Sequence, residues 1–316
     1  MFAKRRFGES VELPARAAIS NAVAYPSARV FMNPLIRPVA RRIINGDWAS
    51  RLGNLDFEYT LRETRRAGVE CLEMVAGRRR ADGPVALYVH GGAFCAGSPA
   101  ANAAAVLPTL HLTGGVGVGV DYAKAPEQVF PRAIEEIEGV YRDLLANGAD
   151  PKRIVVFAES AGGNLALSSL IAWRDAGLAL PAATILFSPS IDANFSSDSS
   201  LTQHSVDPFV KNLRRDQFAA MFDLYAPGMD RDDPRISPIR GDLSGLPPLL
   251  IQAGTREILL GDSVRLAETA REHGVNVELR IFDGMFHLFH MHWDLREGRR
   301  AHANAAAFIE RVFAAA

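Results

Sequence analysis

The sequence predicts an α/β fold, a mainly parallel central sheet with helices on both faces, and two observations carry that expectation. From about residue 70 onward, short apolar strand patterns alternate with helical ones, the arrangement that builds a parallel sheet wrapped by helices. Within that alternation, Ile154-Val155-Val156-Phe157 runs through Ala158 and Glu159 to Ser160, and the helical run Asn164 to Leu170 follows almost at once. A strand that turns abruptly into a helix with serine at the apex is a nucleophile elbow. Its small neighbours permit the tight turn, and the turn lifts the hydroxyl above the sheet edge.

The elements follow in order. Residues 1 to about 50 carry helical fragments interrupted by Pro14, Pro26, Pro34 and Pro38, with no strand pattern. Val85 to Val89 and Val116 to Val120 read as strands. The glycines at 114, 115, 117 and 119 belong to the second of these, because no register gives the offsets of a dinucleotide loop. Ala133 to Leu145 has helical spacing and ends at Asn147-Gly148, and Pro151 restarts the chain into the strand before Ser160. Thr184 to Phe187, Leu249 to Ala253 and Val277 to Phe282 complete the buried strands, and Arg299 to Phe313 closes as an Ala-rich helix. Residues of about 194–236 are polar, rich in Ser and Asp, and hold a helix around Leu213 to Leu224. Irregular segments of that length in a compact domain are usually functional lids or disordered. Both are therefore expected to cap the site, with plain surface decoration as the alternative, and residues 1–316 to form a single domain.

Composition limits the function classes. Of 316 residues, 48% are hydrophobic and 22% charged, which is ordinary for a globular chain with a substantial core. A formal net charge of -1 leaves no footprint for nucleic acid. Arg78-Arg79-Arg80 precedes Asp82-Gly83-Pro84 and reads as a solvated turn. No segment approaches the length of a membrane span, and no apolar run follows the basic opening residues as a signal peptide requires. Cys71 and Cys95 are too few for a disulfide framework and lack metal spacing. A cytoplasmic, reduced protein without cofactor or metal is the expectation.

A serine hydroxyl needs a base, an acid to orient the base, and donors for the developing oxyanion. After Val85 to Val89 comes His90-Gly91-Gly92-Ala93-Phe94, where two glycines let backbone amides face a carbonyl oxygen. The amide after the nucleophile, Ala161, adds to them, so Gly91, Gly92 and Ala161 are the expected donors. Of eight histidines, His287 is the candidate base, since Asp283-Gly284-Met285-Phe286 can return it to the carboxyl edge of the sheet. His111 and His273 fall on helices where exposure is expected, His204 lies in the polar region, and His302 opens the last helix. A metal cluster of His287, His290 and His292 lacks nearby carboxylates or cysteines at ligand spacing. His90 is expected to be structural, Cys95 a small buried residue, and Asp192 a loop organiser. Two acids follow the strand Leu249 to Ala253: Glu257, which can reach the imidazole, and Asp262, which looks like a helix N-cap. The reading favours Glu257, giving the chain order Ser, Glu, His.

Five linked motifs go further: H-G-G-A-F at 90–94, D-Y-A-K-A-P-E at 121–127, E-S-A-G-G-N at 159–164, P-P-L-L-I-Q-A-G at 247–254 and G-M-F-H at 284–287. On these the chain, over roughly residues 70–316, resembles the hormone-sensitive-lipase-like branch of the α/β-hydrolase esterases. The resemblance implies an α/β-hydrolase fold with a helical cap from the N-terminal segment and residues near 194–236. It implies Ser160 as nucleophile, His287 as base, and Gly91, Gly92 and Ala161 as oxyanion donors. Glu257 stands where most members carry Asp, and a subgroup uses Glu. The implied activity is hydrolysis of short- to medium-chain acyl esters through an acyl-enzyme, on a small-molecule substrate, with a homodimer compatible. A lactone or amide hydrolase with the same triad, or a non-catalytic ligand-binding homologue, are the alternatives. Three positions depart from the pattern: Ala158 replaces the first glycine of G-x-S-x-G, Ala93 replaces a third glycine, and Lys124 stands where an apolar residue is usual.

Overall fold

The computed structural model describes residues 26–203, 205–208 and 215–315. The first half of the expected N-terminal cap segment, His204 and the start of the helix expected from Leu213 lie outside them. Helices α1 (Ala28–Met32) and α2 (Arg37–Ala49) lead into a hairpin of β1 (Tyr59–Arg66) and β2 (Val69–Ala76). The alternation then runs β3 (Val85–Val89), α3 (Leu107–Thr113), β4 (Val116–Val120), α4 (Arg132–Ala146), β5 (Ile154–Glu159), α5 (Ala161–Asp175) and β6 (Ala183–Phe187). Two helices, α6 (Asp198–Thr202) and α7 (Arg215–Tyr225), occupy the polar region before β7 (Leu249–Gly254), α8 (Leu260–Glu272), β8 (Val277–Phe282) and α9 (Arg296–Ala315).

The sheet order is β1-β2-β4-β3-β5-β6-β7-β8. From β4 through β8 every pairing is parallel, while β1 with β2 and β2 with β4 are antiparallel. The expected mainly parallel sheet is therefore present, extended by a hairpin that the strand patterns did not reveal. β1 pairs only with β2, and its residues alternate between half-buried and exposed. Such an edge strand needs no continuous apolar run. Arg66 faces Val69 across a two-residue loop, and Ala67 and Gly68 both have positive φ, as that loop geometry requires.

β5 sits at the centre of the sheet, and all six of its residues are buried. β3 on one side carries the chain outward to β4, and β5 carries it the other way to β6, so the connection direction reverses between them. Ligands in open parallel sheets bind outside the carboxyl ends of strands at such a switch point. The loop after Val89 and the turn at Ser160 meet there. Across that edge, Phe94 stacks on Tyr225 of α7 at a centroid distance of 4.2 Å and meets Phe222 edge-on at 4.9 Å.

Candidate active site

Ser160 follows β5 directly, with φ 52° and ψ -124°, and α5 begins at the next residue. Its amide donates to Phe187 O at 3.0 Å, tying the turn to the end of β6. The tight approach between helix and sheet falls at Gly162, where an added Cβ would lie 2.2 Å from Val89 O. Glycine is required there. At Ala158 the methyl is simply buried within β5, which explains why the elbow tolerates the departure from the usual first glycine.

His287 and Glu257 converge on this serine from β8 and β7. The His287 Nε2 lies 3.1 Å from Ser160 Oγ, and its Nδ1 lies 2.9 Å from Glu257 Oε2. Glu257 is fully buried. Its other oxygen accepts from the Gly254 amide at 2.7 Å and from Ser188 Oγ at 3.0 Å, so the carboxylate has a fixed orientation. Burial alone pushes the His287 pKa down. The hydrogen bond and charge of Glu257, with the charges of Asp207 and Glu159, outweigh burial and raise it above the ordinary imidazole value. Ser188 was not legible as a partner, since Ser188-Pro189-Ser190 reads only as the loop after a strand.

Asp262 goes elsewhere. It lies inside α8 rather than at its N-cap, which is Leu259. Asp262 is fully buried and accepts from the Ile191 amide at 3.1 Å, and burial pushes its pKa up to about 7. Asp192 organises its loop as expected, accepting from the Asn194 and Ser196 amides and from Arg265.

The glycine loop differs from expectation in one respect. Gly91 donates its amide to Glu159 Oε1 at 2.7 Å, so this N–H faces a buried carboxylate instead of an incoming carbonyl. Gly92, at φ 126°, allows the reversal that follows, where a Cβ would meet Ala96 O at 2.1 Å. Ala93 has φ 46° and lines the pocket beside Ser160 and Ala161. His90 is structural: it is fully buried, stacks on Tyr122 at 4.2 Å, and accepts the Tyr122 hydroxyl on its carbonyl at 2.7 Å. Lys124 pairs with Asp121 at 2.5 Å and donates to Tyr122 O, which accounts for a charge at that position.

The remaining histidines take separate positions. His290 stacks on Phe187 at 3.9 Å, and His292 Nε2 accepts from Arg51 Nε at 3.2 Å. His302 does not open the terminal helix but lies within α9, fully buried between Thr109 Oγ1 at 2.8 Å and His290 O at 2.9 Å. His111 stacks on Phe57, and His273 accepts from the Leu243 amide, so neither is the free surface group that helix position suggested. Burial pushes the Cys95 thiol up to about 12, which leaves it inert as a nucleophile.

Above Ser160 a small pocket of about 40 Å³ is walled by Phe94, Phe195, Phe218, Met221, Phe222 and Leu259. Apolar walls converging on one hydroxyl and one imidazole suit a neutral substrate with a polarisable carbonyl.

The sequence profile of the alpha/beta hydrolase fold family matches residues 86–291, well over half of the chain. The chain belongs to the α/β-hydrolase family. Its branch is the hormone-sensitive-lipase-like one. A solved esterase from the bacterial hormone-sensitive lipase family superposes on this α/β-hydrolase with a TM-score of 0.80 at 32% identity, covering 90% of this chain and 97% of the other. An acetyl-hydrolase of Streptomyces hygroscopicus is 38% identical over 233 residues, 73% of this chain and 76% of that protein. An esterase of Acinetobacter venetianus is 35% identical over 252 residues, 78% and 81% of the two chains. The α/β-hydrolase is thus a carboxylic ester hydrolase acting on small-molecule esters. Among its described residues, no helix is long and apolar enough to cross a membrane.

Proposed function

We propose that this esterase hydrolyses short- to medium-chain acyl esters through Ser160, His287 and Glu257 by way of an acyl-enzyme. The observation that carries the reading is the continuous chain from Ser160 Oγ to His287 Nε2 at 3.1 Å and from His287 Nδ1 to Glu257 Oε2 at 2.9 Å. His287 takes the Ser160 proton as the hydroxyl attacks the ester carbonyl. Glu257 holds the ring with Nδ1 protonated and stabilises the imidazolium that forms. The amides of Gly92 and Ala161, with Ala93 beside them, receive the oxyanion at the start of α5, where the helix N-terminus favours negative charge. His287 then protonates the leaving alcohol, and water repeats the sequence on the acyl-enzyme. In this reading residues of about 1–50 and 194–236 act as the cap of a single catalytic domain.

The proton acceptor must be neutral, so kcat/KM is expected to fall as pH drops through the His287 pKa. That pKa is raised. The acid limb should therefore have its midpoint above the ordinary imidazole value of ~6.5. A pH profile of kcat/KM between about pH 5 and 8 checks this, and a flat profile contradicts the role of His287.

The pocket gives the second expectation. Each acyl methylene that enters it gains about 0.8 kcal/mol from burial, until the phenylalanine walls are reached. Turnover of p-nitrophenyl esters from C2 to C12 should peak among the short chains and fall by about 10-fold or more at the long end. Specificity rising steadily to C12 contradicts the short-chain assignment. Lactones measured alongside distinguish an open-ester preference from a cyclic one.

A further inference from the structure

We infer that Glu159 is a positioning residue for the reaction: its buried carboxylate holds the Gly91 peptide so that the amides after it turn toward the carbonyl attacked by Ser160. The inference rests on the proposed role of Ser160 as nucleophile. Glu159 ends β5, immediately before Ser160, and has no solvent exposure. One of its oxygens, Oε1, collects all the donors: the Gly91 amide at 2.7 Å, the Tyr88 hydroxyl at 2.8 Å and Asn102 Nδ2 at 3.0 Å. These come from β3, from the glycine loop after it, and from the segment leading to α3. The other oxygen, Oε2, is buried with no hydrogen-bond partner among the described residues.

A buried carboxylate is costly to place, and it persists where its bonds fix something. Here it fixes the glycine loop against the elbow. A Cβ on Gly91 would lie 3.0 Å from Glu159 O and 3.1 Å from Ser160 Cβ, so the loop is pressed onto the nucleophile's own turn. The Gly91 carbonyl is held at 2.6 Å from His90 Nδ1. With both ends of residue 91 anchored, the reversal at Gly92 and Ala93 has one direction available, toward the pocket that Ala93 lines. Without the carboxylate, a buried N–H is left unpaired and the loop must move to satisfy it.

The chemistry of the two oxygens makes the role separable from charge. Burial pushes the Glu159 pKa up to about 7 despite its three donors, and a proton can sit on Oε2 without disturbing Oε1. Glutamine keeps an acceptor where Oε1 stands and places its amide nitrogen at the unpartnered position. Glu159→Gln should therefore keep kcat within about threefold. Glu159→Ala, which removes the acceptor, should lose about 10²-fold in kcat with KM changed less than about threefold, the loss expected when an oxyanion amide is misplaced. If the alanine variant fails to fold, Glu159→Met, which fills the volume without an acceptor, takes its place.

Rates are taken per active site titrated with a fluorophosphonate, so that misfolded protein does not enter, and affinity for a trifluoromethyl ketone is measured in parallel. The inference requires that affinity to fall together with kcat and to be restored in the glutamine variant. It is overturned if Glu159→Ala or Glu159→Met keeps wild-type kcat per titrated site, or if glutamine is as impaired as they are. Ser160→Ala, its rate taken per mole of folded protein, is run beside them. An inactive Ser160→Ala with an unimpaired Glu159→Ala removes the Glu159 role alone, whereas an active Ser160→Ala removes the nucleophile assignment itself.

Discussion

Replacing Ser160 by alanine is expected to lower p-nitrophenyl ester hydrolysis by about 10⁴-fold or more, the scale on which serine hydrolases respond to loss of the nucleophile. The variant should retain a small rate above that in water, because pocket binding and the oxyanion amides survive the change. It should also fold. The hydrogen bonds that hold the elbow are made by the backbone, from the Ser160 amide to Phe187 O and from the Gly163 and Ser190 amides to Ser160 O. Alanine preserves all three. The φ of 52° at residue 160 is already borne by a residue with a Cβ, so alanine adds no new strain there. Unfolding midpoints that match within a few degrees, together with loss of fluorophosphonate labelling, would localise the effect to the missing hydroxyl. Wild-type turnover in this variant ends the reading of Ser160 as nucleophile.

The parts of the site that were legible are those whose geometry is set locally. The elbow is a strand, a turn of small residues and a helix within one stretch from Ile154 to Asp175, and the structure forms it there. The central strands were legible because strands buried on both faces must be continuously apolar. The hairpin of β1 and β2 escaped because its outer strand, Tyr59-Thr60-Leu61-Arg62-Glu63-Thr64-Arg65-Arg66, is polar along most of its length. Partnership across the sheet was harder to see. Gly91 has the sequence of an oxyanion donor, yet the direction of its N–H is decided by the carboxylate of Glu159, 68 residues later. Nothing around Ser188 points to Glu257, although the two meet at 3.0 Å. The burial of His302 escapes the sequence because helix spacing does not reveal what lies against the helix. His302 contacts Thr109 and His290 from distant segments.

The two acids after β7 should separate cleanly on mutation. Glu257→Ala is expected to reduce kcat by about 10³–10⁴-fold, since the imidazole loses both the charge that stabilises its protonated form and the partner that fixes its tautomer. Glu257→Gln should fall nearly as far, and its acid limb should move to lower pH, because the group that most strongly raises the His287 pKa loses its charge. Asp262→Ala acts on a different property. Both ring nitrogens of His287 are engaged by Glu257 and Ser160, and Asp262 accepts from the Ile191 amide instead. Its removal leaves a buried amide unpaired, a cost of about 1–3 kcal/mol, offset in part because a carboxyl held at a raised pKa no longer has to be buried. Asp262→Ala should therefore lower the unfolding midpoint by a few degrees while kcat per active site stays within about threefold. Thermal melts and active-site-normalised kinetics on the same preparations read both quantities. If Asp262→Ala abolished turnover while Glu257→Ala spared it, the orienting acid would be Asp262, and the 2.9 Å contact between Glu257 and His287 would be a structural ion pair without a catalytic role.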